Sequence, residues 1–379
     1  MYFRSVLILK YAILAGLIKL SLGDRHSMIL RPDGSAWSTS AFLNNKGSSR
    51  AVRKGFAQVI ACGATAVAAG PDYSIVLKQG GYVWAMGENS NGQLGTGTRT
   101  NKETFIFVRM ITGAKAVAAG HQHALILTHE GRVWVAGWNK YGQLGDGSTT
   151  DHNRFFQVIN NGRKPVAVAA GEAHSIVLRR DGTVWATGRN NNGQLGDGST
   201  VHRSSFVKVI PSGAADVAAG SSHSIVLTQD GSIWTTGLNE FGQLGDGSTT
   251  DRASYVLVIP DGVKAGAAGS LHSMVLKQDG SVWATGHNLY GQLGDGSTTS
   301  RNIFVHVMLD GAIAVAAGGF HSMILKQDGS IWATGSNQDG QFGDGSTTSK
   351  TSFVKIEPFG DGAGHDMNQH AQLHNHSFL

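Results

Sequence analysis

The chain of 379 residues has a single cysteine, Cys62, so no intrachain disulfide exists and a small disulfide-stapled scaffold is excluded. A lone thiol suits a reducing compartment and argues weakly against secretion. Charge is scarce as well: Asp, Glu, Lys and Arg make up 15% of the residues, against roughly 25% in ordinary soluble chains. The 31 basic and 26 acidic residues leave a net charge of +5. That surplus is thin for this length, and no basic stripe or basic N-terminal tail marks a nucleic-acid surface. Uninterrupted apolar runs long enough to cross a membrane are absent, and no segment sustains an apolar period near 3.6. A membrane anchor and a helical fold are therefore both unexpected.

Glycine is what the chain has in excess. Its 53 glycines are about double average usage, and the apolar residues are spread evenly among them. Short strands joined by tight turns fit that composition better than disorder. Tryptophan then reveals the organisation. Trp37, Trp84, Trp134, Trp185, Trp234, Trp283 and Trp332 follow one another at intervals of 47, 50, 51, 49, 49 and 49 residues. A second series, His26, Tyr73, His123, His174, His223, His272 and His321, runs 11 residues ahead of the first. Two markers with one spacing define seven repeats.

The fifth copy shows the unit. His223 to Leu227 is short, β-branched and apolar, which predicts a strand. Asp230-Gly231 is a hairpin dipeptide, because glycine supplies the positive φ of a tight turn. Ile233 to Thr236 predicts the returning strand, Gly242–Gly245 turns the chain again, and Tyr255 to Ile259 predicts another strand. Val217-Ala218-Ala219 before Gly220 completes four. Four antiparallel strands per repeat of about 49 residues is the arithmetic of a propeller blade. The expected fold is all-β: a seven-bladed β-propeller of four-stranded antiparallel blades. The repeat His and Trp residues are expected to be structural, the tryptophans packing between strands or neighbouring blades, where each buries roughly 150–250 Å².

The pattern A-A-G-x-x-H-S-x-x-L, D-G-x-x-W, G-x-N-x-x-G-Q-L-G resembles the regulator-of-chromosome-condensation (RCC1-like) repeat. Its G-Q-L-G core stands at Gly92–Gly95, Gly142–Gly145, Gly193–Gly196, Gly242–Gly245 and Gly291–Gly294, with Gly340-Gln341-Phe342-Gly343 as a sixth. The resemblance spans about residues 12–356. The first copy departs from it: Ser38 to Leu43 follow Trp37 with no G-x-N and no G-Q-L-G, so that blade is expected to be incomplete or loose at its outer edge.

At the N-terminus an apolar run follows Arg4, as in a signal peptide, yet the repeat register continues into it and Leu17 to Leu22 falls in the inner-strand slot. Both readings stand, the in-register strand being preferred. Phe353 to Ile356 matches the last strand of a repeat, so the termini are expected to close the ring by sharing one blade. The expected divisions are an N-terminal extension over 1–11, the propeller over 12–357 and a polar tail over 358–379. His365, His370, His374 and His376 lie in that tail without a ligand spacing that fixes a metal geometry.

Positions alike in every blade serve the blade; those that differ are free to recognise something. In a meander, the loop before the repeat His and the G-x-N loop emerge on one face, and the Asp-Gly turns on the other. The candidate partner-binding residues on the loop face are Trp138, Lys140, Tyr141, Arg189, Glu240, Phe241, His287, Leu289, Tyr290 and Phe320. Trp, Tyr and Arg dominate binding hot spots, and loops on a rigid scaffold commonly carry function. The alternative is that these aromatics simply cover the blade ends.

Catalytic readings find little support. The Asp146–Thr150, Asp246–Thr250, Asp295–Thr299 and Asp344–Thr348 segments have oxygens that could ligate calcium, but they read better as Asx and Ser/Thr turns. No phosphate-loop lysine follows the glycines, and no nucleophilic Ser or Cys stands out. No catalytic residue, metal or cofactor is assigned. The first expectation is a non-catalytic module, monomeric and cytoplasmic or nuclear, that binds a protein partner. The resemblance implies a second, guanine-nucleotide exchange on a Ran-like small GTPase; the founding members use an inserted β-wedge for it, and these repeats are too uniform in length to hold one. A secreted enzyme inhibitor is the third, and it requires residues 1–22 to be a cleaved signal.

Overall fold

The computed structural model describes residues 18–39, 55–159 and 164–357. Strand formation follows the repeat closely. In the fifth blade the inner strand is Ala214–Ala219, the second His223–Thr228, the third Ile233–Gly237 and the outer one Arg252–Ile259. His223 to Leu227 is buried at every position, because neighbouring blades cover both faces of the sheet. This explains why the second strand reads as a continuous apolar run. The outer strand is mostly half-buried, with Ser254 and Leu257 exposed and Ile259 buried, as an edge facing solvent on one side should be. Gly231 takes a φ of 85° at the Asp-Gly turn. Asp230 Oδ1 accepts from the Ser232 N–H and hydroxyl, and Trp234 Nε1 donates to Ser232 Oγ at 3.1 Å. The turn dipeptide and the tryptophan are thus one hydrogen-bonded unit.

Seven four-stranded antiparallel sheets result, each with its strands side by side in chain order. The fold is the seven-bladed propeller expected. Its only described helical element is the single 3-10 turn Gln79–Gly81. Even the divergent first blade has four strands, although its third, Ala36–Ser38, is only three residues long; Ala41 to Leu43 lie outside the described residues.

The expected mode of closure is wrong. Among the described residues the first blade consists of Lys19–Leu22, Ser27–Leu30, Ala36–Ser38 and Ala57–Ile60, and the last of strands within residues 312–356. The ring closes between blades instead. Gly319 N donates to Gly23 O at 3.1 Å, and Gly55 forms a bridge with Asp344. An in-register match of the two ends specifies which strand each one forms, and leaves open whether they share a sheet.

The core is correspondingly a ring of interfaces. Val166, Ile176 and Leu178 of the fourth blade pack against Ala214, Val217 and Val226 of the fifth, and Trp234 lies against the same cluster. Each blade buries its apolar faces only through its neighbours, as in other repeat architectures. The proposed signal peptide and the His-containing tail fall at residues outside those described, apart from Ile18 to Leu22.

Candidate functional site

Two belts of polar groups, one near the axis and one near the rim, orient the surface. At the axis the repeat histidine of one blade meets a serine of the next: His123 Nε2 lies 2.9 Å from Ser175 Oγ, His174 3.0 Å from Ser224 and His223 3.0 Å from Ser273. His321 to Ser27, at 2.9 Å, closes the circle. Each of these serines donates its hydroxyl to a Gln carbonyl of the preceding blade, as Ser175 does to Gln143 O at 2.7 Å. The serine proton being committed, the imidazole donates through Nε2–H. Burial depresses these imidazoles to a pKa of about 3 at His123, His174, His272 and His321, and about 4 at His223. They are neutral at physiological pH, and none is accessible for proton transfer.

The same geometry accounts for the A-A-G motif. A Cβ on Gly171 would stand 2.2 Å from His174 Cε1 and 2.4 Å from Gly220 O, so the ring and the next blade exclude any side chain. One junction differs. Tyr73 replaces the histidine, and Ala124 stands where the serine would be; the Tyr73 hydroxyl donates to His123 O at 2.6 Å and lies 3.0 Å from Gly120 O.

At the rim the G-x-N-x-x-G-Q-L-G-D-G-S loop locks onto the following blade. Asn239 Nδ2 donates to Asp246 Oδ1 and Ser248 O, Asn239 Oδ1 accepts from Leu244 N, and Asp246 pairs with Arg252 at 2.7 Å. The backbone of Asp246 then bridges to Ile303 of the sixth blade. These carboxylates are occupied by Ser, Asn and Arg donors, which hold Asp246 below the usual carboxylate range against the desolvation that pushes it up. Among the described residues no group of three His, Cys, Asp or Glu is placed to hold a metal.

Both variable loops do emerge on one face. In the third blade Trp138 N donates to Gln122 O, and in the sixth His287 N donates to Leu271 O, which ties each G-x-N loop to the loop before the repeat histidine. The side chains above these ties gather into two clusters. In one, Tyr141 is edge-on to Trp138 at 5.4 Å and to His202 at 5.0 Å, with Lys140 and Arg189 over its ring at 5.7 and 5.6 Å. Arg189 also reaches Glu172 at 3.4 Å. In the other, His287 meets Phe241 at 4.7 Å, and Tyr290 meets Phe320 at 5.2 Å. His287 is buried, its Nδ1 accepts from Gln292 Nε2 at 2.7 Å, and burial lowers its pKa. Its ring is the floor of the second cluster. Glu240 and Leu289 are exposed and stand apart from the ring contacts.

Sequence reasoning missed His202, which belongs to a different loop from Tyr141 and carries no repeat signal. It also assigned no role to the serine after the histidine, although Ser follows in six of seven repeats; that was the available clue.

Blades locked by such belts and built on recurring G-Q-L-G and D-G-x-x-W signatures define a propeller of the regulator-of-chromosome-condensation class. The chain belongs to the RCC1-like domain family: the RCC1-like domain model matches residues 114–378, and models of the RCC1 repeat match 80–127 and 64–93. Solved structures share the fold. Human WBSCR16 superposes with a TM-score of 0.73 at 21% identity, covering 84% of this chain and 89% of that one. The structure of Kap60 bound to yeast RCC1 (Prp20) matches with a TM-score of 0.74 at 19% identity, over 94% of this chain and 88% of that one. Prp20p from Saccharomyces cerevisiae, described with its binding properties to Gsp1p and histones, matches at 0.67 and 23% identity, over 77% and 76%. Among the described residues no helix is long and apolar enough to cross a membrane.

Proposed function

We infer that the propeller is a non-catalytic docking module that grips a partner protein on its loop face. The observation that carries this reading is the convergence of side chains the repeat does not require. Trp138, Tyr141, Arg189 and His202 come from two blades and three stretches of chain, yet form one contiguous cluster; Phe241, His287, Tyr290 and Phe320 form another. Such rigid amphipathic rings supply contact area at low entropic cost, and the cations beside Tyr141 suit an acidic feature on the partner. Yeast Prp20, of the same fold, binds Kap60, which agrees with protein docking on this scaffold.

The test uses purified full-length chain and its Trp138→Ala/Tyr141→Ala/Tyr290→Ala variant, with Gln278→Ala on the opposite face as control. A partner recovered by wild type and by Gln278→Ala, and lost at least about tenfold by a folded triple variant, supports docking. Retention by the triple variant sinks it. Accelerated nucleotide release from a recovered small GTPase would replace docking with exchange.

A further inference from the structure

The belts and turns account for the repeat residues, and leave the wall of the axial channel unexplained. At the loop face the channel narrows to a cavity of about 80 Å³ ringed by Gly23, Gly120, Gly220 and their counterparts. Toward the opposite face it widens to about 910 Å³, within the roughly 300–1,000 Å³ typical of small-molecule sites. The inner strands form its wall, and the repeat calls for small apolar residues there. The position four before the repeat glycine is alanine in five blades, Ala66, Ala116, Ala167, Ala265 and Ala314. It is Lys19 in the first and Asp216 in the fifth. One residue earlier stand Lys115 and Lys264 in the third and sixth blades, and all four polar residues line the cavity.

None of the four is needed to build a blade. Asp216 is 2% exposed; its Oδ1 accepts the Val217 N–H at 2.8 Å, while Oδ2 has no hydrogen-bond partner. A buried polar atom left unmet is destabilising, and alanine at the same position in five blades shows that the fold does without it. Lys19 Nζ donates one of its three hydrogens to Thr65 O at 3.1 Å. Gly266 is a further departure: the equivalent residue is Val67, Val117, Val168, Val217, Val315 or Leu20 in the other blades, and a Cβ on Gly266 would come 3.3 Å from Ile225 Cγ2 of the fifth.

We propose that the wide end of the axial channel binds an amphiphilic organic anion, with a negative head drawn by the lysines, an apolar body along the Ala and Val wall, and a hydrogen-bond acceptor that meets Asp216. Desolvation raises the Asp216 carboxyl to about 8, so it is protonated at neutral pH and serves as a donor. Burial lowers Lys19 and Lys115, with Arg180 adding to the effect at Lys115; a bound anion relieves that penalty. The site lies on the face away from the docking loops and stands or falls separately from them.

The probe is dansylaminoundecanoate, which combines a carboxylate, an alkyl chain and sulfonyl acceptors. Fluorescence titration of the full chain at neutral pH is expected to show saturable binding at one site. Lys115→Ala/Lys264→Ala should weaken it about tenfold or more, since each charge-assisted contact is worth roughly that much. Asp216→Ala should weaken it severalfold while raising Tm, because it removes the unmet carboxyl and restores the residue of the other blades. The absence of saturable binding overturns the proposal. So does binding that is unchanged in the folded lysine and Asp216 variants, or equal affinity for the uncharged methyl ester.

Discussion

The junction between the second and third blades solves with a phenol what the other six solve with an imidazole. At those six, a buried histidine reaches a serine of the next blade; at the exception, the Tyr73 hydroxyl reaches backbone carbonyls across the gap, and the serine has become Ala124. The two substitutions belong together. A tyrosine already supplied with carbonyl acceptors leaves no use for the serine, and its longer ring occupies the room. The belt therefore requires a ring over the glycine and a donor pointed at the next blade, with either chemistry serving.

The largest expected effect tests the shared requirement. Gly171→Ala forces a Cβ into His174 and Gly220 O and should cost more than about 3 kcal/mol or prevent folding. Gly262→Ala, at a φ of 74° with nothing within 4 Å, should cost only about 1–2 kcal/mol. Urea unfolding midpoints of the two variants compare them directly.

Acid should separate the two kinds of junction next. The histidines titrate near 6.5 when unfolded and at about 3 to 4 when folded, so below pH 6.5 the unfolded chain takes up protons first. Stability is full above that pH and falls continuously as pH drops toward the folded values. Each such histidine removes about 1.4 kcal/mol per pH unit, and five acting together predict cooperative unfolding in the mildly acidic range. Circular dichroism melts between neutrality and pH 4 would show the slope; a flat profile contradicts the buried neutral belt. His174→Tyr/Ser224→Ala, copying the exceptional junction, should make the slope shallower.

A double-mutant cycle then measures the pairing itself. Tyr73→His alone sets an imidazole opposite Ala124 without an acceptor, a loss of about 1–3 kcal/mol. Adding Ala124→Ser should restore most of it, with a coupling above about 1 kcal/mol; strict additivity would mean that the two positions are independent. The smallest effect lies at a turn. Trp134 Nε1 lacks a hydrogen-bond partner where Arg132 replaces the usual Ser or Thr, so Arg132→Ser should raise stability by about 0.5–1 kcal/mol, read as a small increase in Tm.

Most of the fold was legible because it is written seven times. Second-strand residues such as Ile225 and Val226, the Asp230-Gly231 turn and the tryptophan spacing each predict local structure that later appears. The face carrying the variable loops also followed, from the alternation of strand directions alone. Ring closure was misread, because both Leu17 to Leu22 and Phe353 to Ile356 match strand slots whether they share a sheet or not. The docking candidates could be named by their variability, but their grouping was invisible: Tyr141 and His202 are 61 residues apart in the chain and meet only through the curvature of the ring. Asp216 and the channel lysines passed unnoticed, since a single departure from a repeat has meaning only once all seven inner strands face one axis.

Local chemistry thus determined the parts: glycines at positive φ set the turns, apolar β-branched runs set the strands, and the period set their number. The three-dimensional closure decided everything that depends on residues of different blades. The His–Ser belt, the Tyr73 exception, the aromatic clusters and the channel wall all arise between repeats, where distances come from the packing of whole sheets rather than from the spacing of letters along the chain.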